Sequence, residues 1–269
     1  MSLHDEIAYL EDSFMKPLYL TTLIAMSFLK DLSGQVINIE NRRLHTDSVR
    51  LAGNLNIAFL LNSTNGKNIV TFRGNGILQF KSKDYDHLWL LTANYDLAKA
   101  EKQDFVNSFY IHGRYNYKLT KWLRWEAYMQ HQRNEPLGIA SRKIVGTGPR
   151  FKVRIGKDAD IYIASAYMYE DEKTTGPANL VLKDGRSSNY ISLNIRFPKV
   201  KGSLISTSYY QPLYRDLSDH RIMNDTRLSF RVAEKIQVYT NFSYFSDSKP
   251  PPGIRKSTLN LEQGFGFSF

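Results

Sequence analysis

Cysteine is absent from the 269 residues, which excludes disulfides, thiolate metal sites and cysteine nucleophiles together. Long hydrophobic runs are also missing. The best candidate, Leu18 to Leu29 (LYLTTLIAMSFL), is shorter than the roughly 20 apolar residues a spanning helix needs. It suits the core of a secretion signal instead: Lys16 precedes it, Met15 offers a start, and Ser33-Gly34 supplies small residues before cleavage at Gln35. An amphipathic helix packed on a soluble core is the competing reading of this segment. Residues 1–34 are therefore expected to be an over-long start plus signal peptide, 35–52 a periplasmic segment and 53–269 the main domain.

Acidic residues are in deficit, 26 against 36 lysines and arginines, for a net charge of +10. Such an excess suggests nucleic acid, but these cations are spread strand by strand rather than gathered on one helix or stripe, so no nucleic-acid partner is expected. The 6 histidines are scattered, with no His-Glu-x-x-His pair and no Asp-rich calcium loop, so neither a metal nor another cofactor is expected. Tryptophan is rare (3) beside 17 tyrosines and 15 phenylalanines, and 42% hydrophobic residues coexist with a mean hydropathy of -0.41. That balance fits strands with one apolar and one polar face.

From Gly53 onward the pattern repeats: about a dozen residues of alternating polarity, then turn residues. Leu55, Ile57, Phe59 and Leu61 oppose Asn54, Asn56, Ala58 and Asn62. Val70, Phe72, Leu78 and Phe80 oppose Thr71, Arg73, Asn75, Gln79 and Lys81. Further stretches run approximately His87 to Leu97, Asn107 to Leu119, Trp122 to Arg133, Ile144 to Ile155 and Asp160 to Glu170. Five more are Asn189 to Phe197, Ser203 to Leu213, Asp225 to Val232, Lys235 to Ser246 and Ser257 to Phe269. A sandwich strand is usually half this long, whereas a tilted membrane strand needs about 9–11 residues. The expected fold is all-β: a closed antiparallel transmembrane β-barrel of about 12 strands, in a bacterial outer membrane, with lipid and lipopolysaccharide around it.

Connections support the same architecture, which alternates short periplasmic turns with longer outside loops. Ser82 to Asp86, Thr120 to Lys121, Gly156 to Ala159, Pro198 to Gly202 and Ala233 to Glu234 read as turns. Ala98 to Phe105, Glu135 to Ser141, Asp171 to Ser188, Tyr214 to Asn224 and Asp247 to Lys256 read as loops. In the last stretch Phe265, Phe267 and Phe269 share a face, and the chain stops on an aromatic. This resembles the signal read by the outer-membrane barrel assembly machinery, which is thereby an expected partner.

Gln35-Val-Ile-Asn-Ile-Glu-Asn-Arg-Arg, then Tyr115-Asn-Tyr-Lys-Leu-Thr-Lys-Trp-Leu, Gln130 to Asn134, and Arg142 with Gly146-Thr-Gly148-Pro-Arg150 resemble segments of the salt-induced outer membrane protein family, a domain of unknown function. The resemblance spans Gln35 to Phe269 and implies a barrel without a defined reaction.

The face opposite the apolar one carries Arg73, Lys81, Arg114, Lys118, Arg124, Arg150, Lys152, Arg154, Arg196, Arg227 and Arg231 against Asp96, Glu126, Glu170, Asp225 and Glu262. A candidate basic lumen follows, with Arg73, Arg114, Arg150, Lys152, Arg196, Arg227 and Arg231 facing an anionic solute. An interior filled by Arg to Glu/Asp networks and water is the other reading. Enzymatic chemistry on lipid or lipopolysaccharide would need a His and Ser close together on the lipid face, as in outer-membrane phospholipase A. His131 has the right face, but no Ser stands two positions along its strand. Gly74-Asn-Gly76 and Gly146-Thr-Gly148 lie within strands, where they ease close approach or bending rather than hold phosphate. The chain is therefore expected to be a non-enzymatic barrel: a narrow channel or an envelope-stress protein. A barrel enzyme and a secreted or periplasmic β-rich binding protein are the alternatives.

Overall fold

The computed structural model describes residues 50–267, except 65–66, 101–102, 176–179, 235 and 251–253. The expected leader in 1–34, nearly all of the segment 35–52, and Phe269 lie outside the described residues.

Alternation produces twelve strands: β1 (Leu51–Thr64), β2 (Lys67–Lys81), β3 (His87–Ala100), β4 (Gln103–Lys118), β5 (Leu123–Asn134), β6 (Ile139–Ile155), β7 (Ala159–Thr174), β8 (Val181–Phe197), β9 (Gly202–Leu213), β10 (Asp216–Arg231), β11 (Ile236–Asp247) and β12 (Ser257–Phe267). The strand count expected from periodicity is met. They form one antiparallel sheet in chain order, each strand paired with its sequence neighbours. Among the described residues no ladder joins β1 to β12. The sheet nevertheless curls strongly, because side chains far apart in strand order meet over one face: Tyr190 of β8 donates to Glu126 of β5 (2.9 Å), and Arg221 of β10 to Glu170 of β7 (2.8 Å).

Period-two geometry puts successive side chains on opposite faces, and β6 shows what each face holds. Arg142, Ile144, Gly146, Gly148 and Arg150 are buried on the concave side, while Lys143, Val145, Thr147 and Phe151 stand exposed on the convex side. The outside is lined with large apolar residues, among them Leu55, Ile57 and Phe59 of β1, Leu91 of β3, Ile111 of β4, Met129 of β5, Ile163 of β7, Ile191 of β8, and Leu259, Leu261 and Phe265 of β12, while Leu90, Ile144, Met168 and Met223 are buried inside. The expected phase of Phe265 holds. Phe267 lies opposite Ile236 in the ladder.

The two ends of the sheet differ. At one, five short connections fall between 82 and 86, 119 and 122, 156 and 158, 198 and 201, and 232 and 235. Tyr85, Gly156 and Lys201 have positive φ there (61°, 62° and 50°), as tight reversals require. At the other end the expected long loops are mostly strand. β3 and β4 leave only 101–102 between them, β9 and β10 only 214–215, and β7 and β8 narrow the expected Asp171 to Ser188 loop to 175–180. Bulges gather at this end, between Ala98 and Lys99, Gln132 and Asn134, Ile139 and Ser141, and Asp216 and His220. Here a short 3-10 turn, Glu135–Leu137, is capped by Asn134, whose side chain accepts from the Leu137 N-H (3.1 Å), and Gly138 follows at φ 71° under the Ile254 side chain. The β5–β6 hairpin thus touches the β11–β12 connection.

Candidate functional site

The concave face holds two charge centres on a tyrosine-rich layer. The lower one forms around Glu126 of β5. Arg114 of β4 donates to its carboxylate at 3.2 Å, Tyr190 at 2.9 Å, and the Arg150 Nε of β6 lies 3.6 Å away. The Arg150 guanidinium lies over the Tyr162 ring (3.9 Å) and that of Arg114 over Tyr128 (5.2 Å). These planar contacts hold each arginine sideways against the wall. Tyr128 in turn lies against Gly146, where a Cβ would collide with its ring, and the β7 backbone closes on Gly148. Close approach is therefore the use of Gly146 and Gly148. At Gly74 and Gly76 an added Cβ would make only ordinary contacts, so that pair is not explained in the same way.

The upper centre converges on Glu170 of β7. Arg142 Nη2 and Nε reach its two oxygens at 3.0 Å each, Arg221 Nη1 at 2.8 and 2.9 Å, and Arg186 Nε at 3.4 Å. Three guanidinium groups thus surround one carboxylate, itself 3% exposed. Further acids serve the same arginines: Glu172 lies 3.4 Å from Arg142 and 3.2 Å from Arg221, Asp247 is 2.9 Å from Arg221, and Asp219 is 2.9 Å from Arg186. Burying ions is costly unless they are paired and hydrogen-bonded, and this knot satisfies that condition by sharing.

The expected basic lumen is changed by these contacts. Among the described residues the fully buried cations are Arg114, Arg142, Arg150, Arg186 and Arg221, and the fully buried acids Glu126, Glu170, Glu172, Asp247 and Glu262. The deep interior is balanced. Of the expected lumen residues, Arg114 and Arg150 belong to it, while Arg73, Lys152 and Arg227 are partly exposed on the concave face. Arg73 is 3.9 Å from Asp96, Lys152 3.3 Å from Asp160, and Arg227 lies over Tyr239. Arg196 and Arg231 are exposed at the short-turn end, where Arg196 donates to the Lys157 carbonyl (2.8 Å). Arg142, Arg186, Arg221, Glu172 and Asp247 were not anticipated, because they sit beyond the stretches read as strands. Carrying the parity onward from Glu170 to Glu172, and from Ser188 back to Arg186, would have found them.

A smaller polar site lies beside the lower centre. His112 is stacked between Tyr110 and Tyr128 (6.0 and 5.7 Å between ring centres), and its Nδ1 donates to Gln130 Oε1 at 3.1 Å. Its Nε2 and the hydroxyl of Thr92, its neighbour across the ladder, have no protein partner among the described residues. Both suit bound water.

On the convex face, His131 departs from expectation. Its Nε2 is 3.3 Å from the Ser141 hydroxyl, which sits on the neighbouring β6 rather than along β5. Phe109 packs edge-on against the ring. A nucleophile also needs a group orienting the base and donors for an oxyanion. Among the described residues no carboxylate or amide holds His131 Nδ1, so the pair is incomplete.

A curled wall with an apolar exterior and an ionic, hydrogen-bonded interior inverts the arrangement of a soluble protein and is the pattern that membrane-spanning strands require. From Val145 to Ile155 the outward face of β6 rises about 25 Å once a tilt near 40° is allowed for, matching the usual apolar band. The chain belongs to DUF481, a family of proteins of unknown function, whose model matches residues 56–269. No curated protein matches it. Among solved structures, the NanC porin in a rhombohedral crystal form is 10% identical, covering 82% of this chain and 98% of that one with a TM-score of 0.48. The KdgM porin in complex with disordered oligogalacturonate is 11% identical, covering 81% and 99% with a TM-score of 0.42.

Proposed function

We propose that this protein is an integral outer-membrane β-barrel, closed by β1 on β12, that acts without catalysis as a narrow passage favouring small anions. The observation that carries the reading is the inverted wall together with its interior. Twelve strands at ~4.8 Å spacing and ~40° tilt would enclose a backbone ring about 24 Å across. The two arginine centres fill the side formed by β4 to β11, which leaves a reduced opening. Arg73, Lys152 and Arg227 line the partly exposed interior, and Arg196 and Arg231 stand at the short-turn mouth. Cations in a confined passage attract anions. Closure follows from hydrogen bonding, since unpaired β1 and β12 edges in lipid would each leave a row of unsatisfied N-H and C=O groups. The aromatic end, Phe265, Phe267 and Phe269, serves as the assembly signal, and the short turns face the periplasm.

Planar-bilayer recording of the purified protein tests this. Small, discrete conductance steps with a reversal potential favouring chloride over potassium are expected. A silent bilayer, or preference for the cation, sinks the channel reading. A second reading rests on the His131–Ser141 pair. Fatty-acid release from phospholipid by this protein, abolished in Ser141→Ala, would replace the channel with a lipid hydrolase.

A further inference from the structure

The convex face carries a groove of about 600 Å³ that the interior does not explain. Ladder register describes it row by row. One row across the strands is Leu91, Gly113, Met129, Val145 and Tyr169; the row beneath is Trp89, Tyr115, Ala127, Thr147 and Tyr167. Small residues occupy the middle, Gly113 and Ala127, so the floor is low. Phe80, Trp89 and Tyr115 wall one side, and Tyr167 and Tyr169 the other. Thr147 contributes little polarity, because its hydroxyl accepts from the Trp125 indole N-H (2.8 Å) and donates to the Glu126 carbonyl (2.9 Å).

The row directly above, toward the end opposite the short turns, changes character. It reads Ile111, His131, Lys143, Asp171 and Lys183, and beyond it Ser141 faces Lys173 while Arg133 faces Phe109. Lys143, Lys173 and Lys183 are exposed, and Arg133 is half exposed with Glu135 as its ion-pair partner. Two acids, Asp171 and Glu135, stand among these four cations. An apolar groove on β2 to β7, wide enough for a hydrocarbon chain, therefore ends under a cationic collar carried by β5 to β8. We infer that this groove is a binding site for one anionic, phosphate-bearing lipid. An acyl chain lies over Gly113 and Ala127, and the phosphate sits at Lys143 and Lys173. The neighbouring His131 ring and Ser141 hydroxyl are placed to hydrogen-bond the headgroup, which gives that pair a use requiring no orienting group. The site rests on the membrane-barrel reading above.

Trp89 in the wall and Trp125 beside it report occupancy. The test uses the full chain with Trp122→Phe, reconstituted in phosphatidylcholine vesicles doped with phosphatidylglycerol, where either lipid carries bromine on its acyl chain. Bromine quenches indole on contact. Brominated phosphatidylglycerol is expected to quench beyond its share of the bilayer, with an apparent preference of roughly fivefold for each lysine engaged. Lys143→Gln with Lys173→Gln should return the preference to unity while brominated phosphatidylcholine still quenches. Equal quenching by both lipids, or a preference untouched by the double substitution, overturns the site. So does a second copy seated on this face, seen as a dimer in the same vesicles. Quenching by neither lipid means the protein is not inserted, and that result overturns the membrane reading itself.

Discussion

Replacing Glu170 by glutamine keeps the shape of the side chain and removes the charge at the centre of the upper knot. Arg142, Arg186 and Arg221 all contact this carboxylate, at distances from 2.8 to 3.4 Å. A charge-assisted hydrogen bond contributes about 1.5–3 kcal/mol net, and stripping one partner from a buried ion pair costs about 3–5 kcal/mol. Here the loss is moderated, because each arginine keeps another acid: Arg142 keeps Glu172, Arg221 keeps Glu172 and Asp247, and Arg186 keeps Asp219. Glu170→Gln is therefore expected at the lower end, about 3 kcal/mol less stable. Urea unfolding of the vesicle-inserted protein, followed by tryptophan emission, reads this directly. Arg142→Met, measured alone and with Glu170→Gln, completes a cycle whose coupling should be of order 1–3 kcal/mol. The knot also loses a negative charge, so anion preference in the bilayer should rise. A folded Glu170→Gln protein destabilised by under about 0.5 kcal/mol would refute the view that this carboxylate organises the interior.

Gly148→Ala would place a Cβ against the Ser165 carbonyl and 2.6 Å from the Ala166 Cα. Because backbone cannot swing aside as a side chain can, a cost of about 1–3 kcal/mol is expected from the same urea titration, with Gly74→Ala, which meets only ordinary contacts, as the milder control. The exposed hairpin at the end opposite the short turns supplies a pH prediction. Hydrogen bonds from Lys249 and then Ser218 hold the Asp216 carboxyl down to about 2, below its ordinary 3.8. A depressed carboxylate pKa stabilises the folded form above the unfolded value, and that contribution disappears as pH falls through the folded one. Contact between Asp216 and the β11–β12 connection should thus persist at pH 4 and fade between about 3.8 and about 2. Hydrogen exchange at Ser218 across that window checks it, and protection already lost at pH 5 would contradict the assignment.

The strands were legible because a lipid-facing side chain must be apolar and its neighbour, facing inward, need not be. Leu55, Ile57 and Phe59, or Ile191 opposite Ser192, announce their faces through that requirement alone. It lapses above the bilayer. There Lys143, Asp171, Lys173 and Lys183 occupy outward positions as acceptably as any apolar residue, and alternation in polarity fades although the backbone stays paired. The upper knot was lost for this reason, since Arg142, Glu172, Arg186, Arg221 and Asp247 all lie near those strand ends. Ser141 was missed differently: it approaches His131 across the ladder, a relation that depends on register and cannot be counted along one strand.

The uneven filling of the interior also bears on how a solute would move. Arginine centres occupy the side formed by β4 to β11, while the inward residues of β1 to β3 include a row of amides, Asn56 opposite Asn75 and Asn75 opposite Asn94, with Asn56 donating to Asn75 at 2.9 Å. Closed as proposed, the barrel would have its open lane off the axis, between a neutral amide rail and a wall of fixed charge. The electric field in such a lane points across the direction of travel. It would sort solutes by how their charge and hydroxyl groups are arranged from side to side, so that two anions of equal size and charge could pass at different rates.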